Sequence, residues 1–277
     1  MSKSLLTPRP GHSLSLPQCT FVTARRLPAA RLVLVAGGRA PSAKWLQAVA
    51  HDMPLWAIDH GLDACRAAGL VPERLIGDGD SASSASWGWA QQAQVPTDRY
   101  PRAKDYTDTQ LALRTAAACV GRASFPTSTT TAGTDNAHAT ADLTGAVSNG
   151  VFVSDGAVLL LTGCWGGRFD HAYSTMYSAS RAELPVVLAD ERETCFFVQA
   201  GQQVTLHCQT PPKAISLLPL TARVTGVTLT GTHWPLTDAT LTQASANAIS
   251  NELEPPAEAL TLRTKSGILG LYCCWQE

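Results

Sequence analysis

The chain has 277 residues, 45% of them hydrophobic and 16% charged, so it can bury a real core in one large domain or two smaller ones. A formal net charge of −1 carries no basic footprint for nucleic acid. No apolar run approaches the roughly 20 residues of a membrane helix. Neither partner is expected. Met1 to His51 lack acidic residues, but Pro8, Pro10 and Pro17 interrupt any amphipathic leader helix, and no clean apolar stretch marks a secretory signal. The eight cysteines show neither CxxC nor zinc-ligand spacing and read as reduced, mostly buried thiols of a cytoplasmic protein.

From Arg31 the pattern alternates strand, glycine-rich turn and helix. Leu32–Val35 is a short buried-strand run, followed by Gly37-Gly38 and a helix capped at Ser42. Leu55–Ile58 is the next strand, ending at Asp59 before a helix through Ala68. Arg74–Ile76 is the third, ending at Gly77-Asp78. A helix follows Ser84, and another runs from near Thr107 to about Val120. Residues 122–150 dissolve into Ser, Thr, Ala, Gly and Asn, the composition of a flexible insertion in a loop. Val158–Leu161 then forms a strand, with a helix from about Asp170. This alternation predicts an open, mostly parallel α/β sheet over residues 1–188. Beyond it, Thr194–Val198, Val204–Cys208, Ala214–Leu218, Val224–Leu229, Leu260–Arg263 and Gly270–Trp275 are short β-like runs without helical periodicity. They predict a smaller antiparallel β-sandwich over 189–277.

Four motifs fall at strand ends of the first domain: Asp59-His60-Gly61, Gly77-Asp78-Gly79-Asp80-Ser81, Lys104-Asp105-Tyr106-Thr107-Asp108, and Gly166-Gly167-Arg168-Phe169-Asp170-His171. Ligands of open α/β sheets sit beyond the carboxyl ends of the strands, so up to six aspartates converge on one rim. Two such charges about 4 Å apart repel by roughly 4 kcal/mol at an effective dielectric near 20. Protonation, basic partners or hard cations must relieve that repulsion. Oxygen-only ligands favour Mg²⁺ bound through one or two carboxylates plus substrate phosphates. Lys104 and Arg168 can hold phosphate oxygens, and the helix starts near Thr107 and Asp170 offer N–H groups to an anion. Each motif alone also serves as an Asx turn or helix cap; together they point to phosphoryl-type transfer. No Walker A pattern is present, which disfavours an ordinary P-loop kinase.

In this order the motifs resemble those of the thiamine pyrophosphokinase family, with Trp234 and Leu236 and then Ser250-Asn251-Glu252 matching its later signatures. The resemblance implies an α/β catalytic domain, a C-terminal β-sandwich and a homodimer with active sites between subunits. The reaction it implies takes ATP and thiamine to AMP and thiamine diphosphate. By the same resemblance Asp78, Asp80, Asp105, Asp108, Arg168 and Asp170 are catalytic, and Asp78, Asp80 and Asp105 hold Mg²⁺. Asp59, Gly61, Ser81, Lys104, Thr107, Arg168 and His171 would bind ATP; Trp234, Ser250 and Asn251 would bind thiamine. Three positions depart from the family pattern: His60 stands for a usual Gly, Thr175 for an Asn, and Ala248 for a Ser or Thr. The departures leave open a pyrophosphokinase for another heteroaromatic alcohol, such as a hydroxymethylpterin. A non-catalytic nucleotide- or thiamine-binding regulator and a Mg²⁺-dependent nucleotide hydrolase also remain open.

Overall fold

The computed structural model describes residues 5–77, 81–100, 105–120, 156–245 and 247–276. The 122–150 insertion, Asp78, Gly79, Asp80 and Lys104 lie outside them. The α/β part comprises β3 (Ala30–Val35), α1 (Ala43–Ala50), β4 (Leu55–Ile58), α2 (Gly61–Ala67), β5 (Arg74–Gly77), α3 (Ser84–Gln92) and β6 (Thr97–Arg99). It continues through α4 (Asp108–Val120), β7 (Ala157–Thr162), α5 (Phe169–Ser180) and β8 (Val186–Ala189). Two short strands precede it, β1 (Ser13–Ser15) and β2 (Cys19–Thr23). After it come β9 (Glu193–Val198), β10 (Gln203–Cys208), β11 (Ala214–Pro219), β12 (Arg223–Thr230), β13 (Leu236–Thr242), β14 (Ala259–Arg263) and β15 (Leu269–Cys274).

Two sheets organise these elements. The larger has nine strands in the order β11-β15-β9-β8-β7-β3-β4-β5-β6, and the smaller has six, β1-β2-β10-β14-β12-β13. From β8 to β6 the large sheet is parallel, as the alternating strand–helix pattern requires. From β8 onward to β9, β15 and β11 it turns antiparallel. The sheets therefore do not divide at 188/189. Strands β9, β11 and β15 extend the α/β sheet, while β1 and β2 join the small one through β10. Both N-terminal strands escape the sequence pattern because they are short and set among Pro and Ser. Tertiary packing decides them: Phe21 of β2 stacks on Phe196 of β9, with centroids 4.9 Å apart across the two sheets.

The strands of the parallel region are apolar on both faces because both faces are covered. One core joins Val33, Val35 and Ala57 to Trp45, Leu46, Leu62 and Cys65 of α1 and α2, and runs on between the sheets through Val198, Leu206, Ile215 and Leu271. The other packs Leu32, Leu34, Ile58 and Leu161 against Ala112, Leu113 and Ala116 of α4 and Ala179 of α5. Helix α1 starts at Ser42, whose hydroxyl accepts the Trp45 N–H at 3.4 Å. Among the described residues no helix is long and apolar enough to cross a membrane.

Two contacts fix the entry to α2 and α3. Gly61 opens α2 against the carbonyl of Val35; a methyl there would lie 1.9 Å from that oxygen. Asp63, early in α2, is the hub for the start of α3. It accepts the Ser83 N–H at 3.1 Å, the Ser83 hydroxyl, and the Ser86 hydroxyl at 2.5 Å. His60 lies 3.0 Å away. Partial burial opposes the charged form, but the hydrogen bonds from Ser83 and Ser86, with His60 adjacent, hold the Asp63 carboxyl below its usual range.

Gly61→Ala should cost about 2 kcal/mol or more, because backbone stands where the methyl must go; denaturant unfolding with an unchanged midpoint would show that the helix shifts freely. Asp63→Asn should cost about 1–2 kcal/mol at pH 7. The folded pKa lies below the unfolded value of about 3.9, so this stability is present above that value and is lost as pH falls through the folded one. Urea melts at pH 7 and pH 3 should therefore show the gap between wild type and the Asp63→Asn variant closing in acid; a constant gap would deny the carboxylate its part.

Candidate active site

The parallel strands run in the order β8-β7-β3-β4-β5-β6, so the chain reverses its direction of travel across the sheet between β3 and β7. A crevice opens beyond the carboxyl ends of strands at such a switch point. Here it is a cavity of about 470 Å³ lined by the turns after β3, β4 and β7 and by the starts of α4 and α5. Glycines let its walls form. The Gly38 N–H donates to the Gly163 carbonyl at 2.7 Å. A methyl on Gly38 would sit 2.5 Å from the Trp165 carbonyl, and one on Gly163, at φ +66°, 2.1 Å from that of Ala36.

Of the residues expected at the site, Asp59, Ser81, Asp105, Thr107, Asp108 and His171 line this cavity. Asp59 ends β4 in the left-handed region at φ +46°, a conformation that Asp tolerates better than most residues. Its carboxylate lies so close to Gly77 that a methyl there would meet Oδ1 at 1.7 Å. Thr107 and Gln110 form a capping box at the start of α4. The Gln110 N–H reaches the Thr107 hydroxyl at 3.2 Å, and the Thr107 N–H reaches Gln110 Oε1 at 3.0 Å. His60 and Thr175, two of the departures from the family pattern, line the same space. Nδ1 of His60 lies 3.0 Å from the Ser81 carbonyl and ties the two turns together.

Arg168 and Asp170 do not line the cavity. They stand exposed at the start of α5, just ahead of His171, which does line it. Arg168 forks onto Asp170 through Nε at 3.1 Å and Nη2 at 2.5 Å. That contact holds the Asp170 carboxyl below its usual range. Gly61 is also absent from the lining, since it packs under β3. Asp78, Asp80 and Lys104 lie outside the described residues. Ala36, Gly37, Gly38, Tyr106, Thr109 and Cys164 line the cavity without having been expected there. The Gly37-Gly38 pair at a strand end was the available signal.

Trp234, Ser250 and Asn251 lie elsewhere. Among the described residues, none that lines the cavity comes from the six-stranded sheet or its loops. Trp234 is 57% exposed, with the His233 ring edge-on at 4.6 Å. Asn251 brackets its backbone: Oδ1 accepts the Trp234 N–H at 3.1 Å, and Nδ2 donates to the Trp234 carbonyl at 2.7 Å. Oδ1 also accepts the Glu252 N–H at 2.9 Å. Both lone pairs of the amide oxygen and one of its two N–H donors are thereby used, and Asn251 fixes the backbone of Trp234. Ser250 precedes it at φ +59°, with its N–H on the Ser216 hydroxyl at 3.1 Å.

Residues 47–188 match the family model "Thiamin pyrophosphokinase, catalytic domain", and residues 203–269 match "Thiamin pyrophosphokinase, vitamin B1 binding domain". The chain is 23% identical over 224 residues to the thiamine pyrophosphokinase of Bacillus subtilis, across 79% of this chain and 88% of that protein. Its fold is similar to the crystal structure of the Bacillus subtilis thiamine pyrophosphokinase, with a TM-score of 0.67 and 22% identity over 89% of this chain and all of the other. It is likewise similar to the thiamin pyrophosphokinase of Candida albicans, at TM-score 0.66 and 11% identity over 88% and 90% of the two chains. Both halves of the family are present in order on one chain, over a fold shared along nearly its whole length, and the protein belongs to the thiamin pyrophosphokinase family.

Proposed function

We propose that the protein transfers a pyrophosphoryl group from ATP to the hydroxyl of thiamine, giving thiamine diphosphate and AMP. The observation that carries this reading is the switch-point cavity, which gathers Asp59, Asp105, Asp108 and His171 between glycine turns. Backbone at Gly37, Gly38 and Gly163 leaves room for a polyphosphate to approach closely. The thiamine hydroxyl oxygen would bond to the β-phosphorus as the bond from that phosphorus to the α–β bridging oxygen breaks, so AMP leaves with that oxygen. The hydroxyl proton passes to solvent or to a lining group.

Every carboxylate in the lining offers oxygen donors alone, which fits a hard cation such as Mg²⁺. In this reading the cation is held by one or two carboxylates together with the substrate's phosphates. Asp105, with Asp78 and Asp80, would hold Mg²⁺, which when bound neutralises phosphate charge. Arg168, at the rim, would meet negative charge that shifts toward the leaving AMP. Trp234, held by Asn251, would present its ring to the heteroaromatic acceptor. Because Trp234 does not line the cavity of its own chain, the reading includes a homodimer in which one subunit's Trp234 faces the other's cavity.

Arg168→Ala should lower kcat about 100-fold, while KM for thiamine moves little, because the guanidinium would meet charge that develops only during transfer. AMP release with ATP, Mg²⁺ and thiamine is the assay. Failure of the wild type with thiamine but turnover with a hydroxymethylpterin would move the acceptor, and ADP in place of AMP would end the pyrophosphoryl reading.

Trp234→Ala should chiefly raise KM for thiamine, with Asn251→Ala following it in the same direction because it frees the backbone that carries the ring. Mixed dimers of Arg168→Ala and Trp234→Ala chains should regain activity, since one of their two composite sites is intact. No recovery in verified mixed dimers would put each site within a single chain.

A further inference from the structure

Arg39 does not line the cavity, yet it sits at the centre of a three-residue ionic cluster. Its Nε and Nη2 donate to Asp190 Oδ2 at 3.0 and 2.6 Å, and its Nη1 to Glu193 Oε1 at 3.1 Å. Asp190 is only 1% exposed. The other oxygen of that carboxylate accepts the N–H groups of Arg192 and Glu193, each at 2.8 Å. The fork is thus anchored on a saturated carboxylate in the turn between β8 and β9, where the large sheet changes from parallel to antiparallel.

The backbone carries this anchor to the rim. Arg39 follows Gly37 and Gly38 in the cavity wall. Its N–H donates to the Trp165 carbonyl, directly after the bond from Gly38 to Gly163. Gly166, at φ +74°, packs so tightly on it that a methyl there would come within 2.9 Å of Arg39 Cβ. Two residues later the chain reaches Arg168. We infer that Arg39 is a positioning residue: its two-armed ion pair with Asp190 and Glu193 sets the Gly163–Arg168 turn at the cavity, without touching substrate. The inference rests on the transfer reaction proposed above for the role of Arg168. Lysine keeps the charge but has no planar fork, so it cannot hold both carboxylates with the same geometry.

The test is Arg39→Lys, alone and combined with Arg168→Ala, followed by steady-state AMP release and amide hydrogen exchange. The single variant should lose about 10-fold or more in kcat, with both KM values within about threefold of wild type. Exchange should quicken in peptides covering 163–168 and stay unchanged in β12 and β14. With Arg168 already replaced, Arg39→Lys should remove less than about a further threefold, because both changes act through one turn. A lower melting temperature with wild-type kcat and unchanged exchange at 163–168 would reduce Arg39 to a purely structural clamp and overturn the inference. Fully additive losses would do the same. If the wild type itself releases no AMP, the transfer reading fails, and exchange at 163–168 alone decides the clamp. Should Arg39→Lys not fold, Glu193→Gln removes one arm and leaves Asp190 paired. It should give the same pattern at smaller amplitude, and unchanged exchange in it would overturn the inference.

Discussion

The site depends on one close backbone contact, between the turn that leaves β3 and the turn that leaves β7. These are adjacent parallel strands in register from Ala30 opposite Ala157 to Val35 opposite Thr162. Beyond their ends the two chains do not splay apart; the Gly38 N–H meets the Gly163 carbonyl at 2.7 Å. Side chains at either glycine would drive into carbonyl oxygens, so the approach demands their absence. Because the two turns lead to α1 and α5 on opposite faces of the sheet, the crevice between them opens at the switch point. The wall that these two turns give the cavity, and the course of the Gly163–Arg168 turn beside it, follow from that contact.

The second part of the fold is not hung on the first by a linker. Three of its strands continue the large sheet beyond β8, and the small sheet packs over the same face that α1 to α3 cover farther along. One apolar core therefore runs from the helices into the sandwich, with the N-terminal β2 completing it from the other end of the chain. This continuity gives the turn between β8 and β9 a double task. It reverses the sheet from parallel to antiparallel, and through Asp190 and Glu193 it holds the loop after β3.

Charge is distributed in keeping with that frame. Of the aspartates in the cavity lining, Asp59 comes from the turn after β4, and Asp105 and Asp108 from the segment that opens α4, so the repulsion is shared between two segments. Asp63 and Asp190, outside the lining, are held by fixed hydrogen-bond donors and serve structure. In the loops of the small sheet Asn251 spends its amide on the backbone of Trp234, leaving an aromatic ring exposed on a rigid support.

Much of this was present in the chain itself. Apolar runs such as Leu32–Val35 and Val158–Leu161 specify buried parallel strands because two covered faces leave no polar positions. Ser42 and the Thr107–Gln110 pair announce helix starts by chemistry that acts over three residues. The strand-end aspartates announce the rim, since alternating strands and helices send every such turn to the same side. What depends on distant partners was not legible. β1 and β6 are too short and polar to show a pattern, and β2, though buried throughout, is a five-residue run close after Pro17; each pairs along the edge of a neighbouring strand. Gly61 reads as part of a motif, but its closest neighbour is the Val35 carbonyl, 26 positions earlier in the chain. Arg39 carries no local signal at all, because its partners lie more than 150 residues away. Local propensity and spacing determined the elements and the chemistry of their ends. Long-range packing alone decided which sheet each strand joins, which glycines are structural and which charges are clamped.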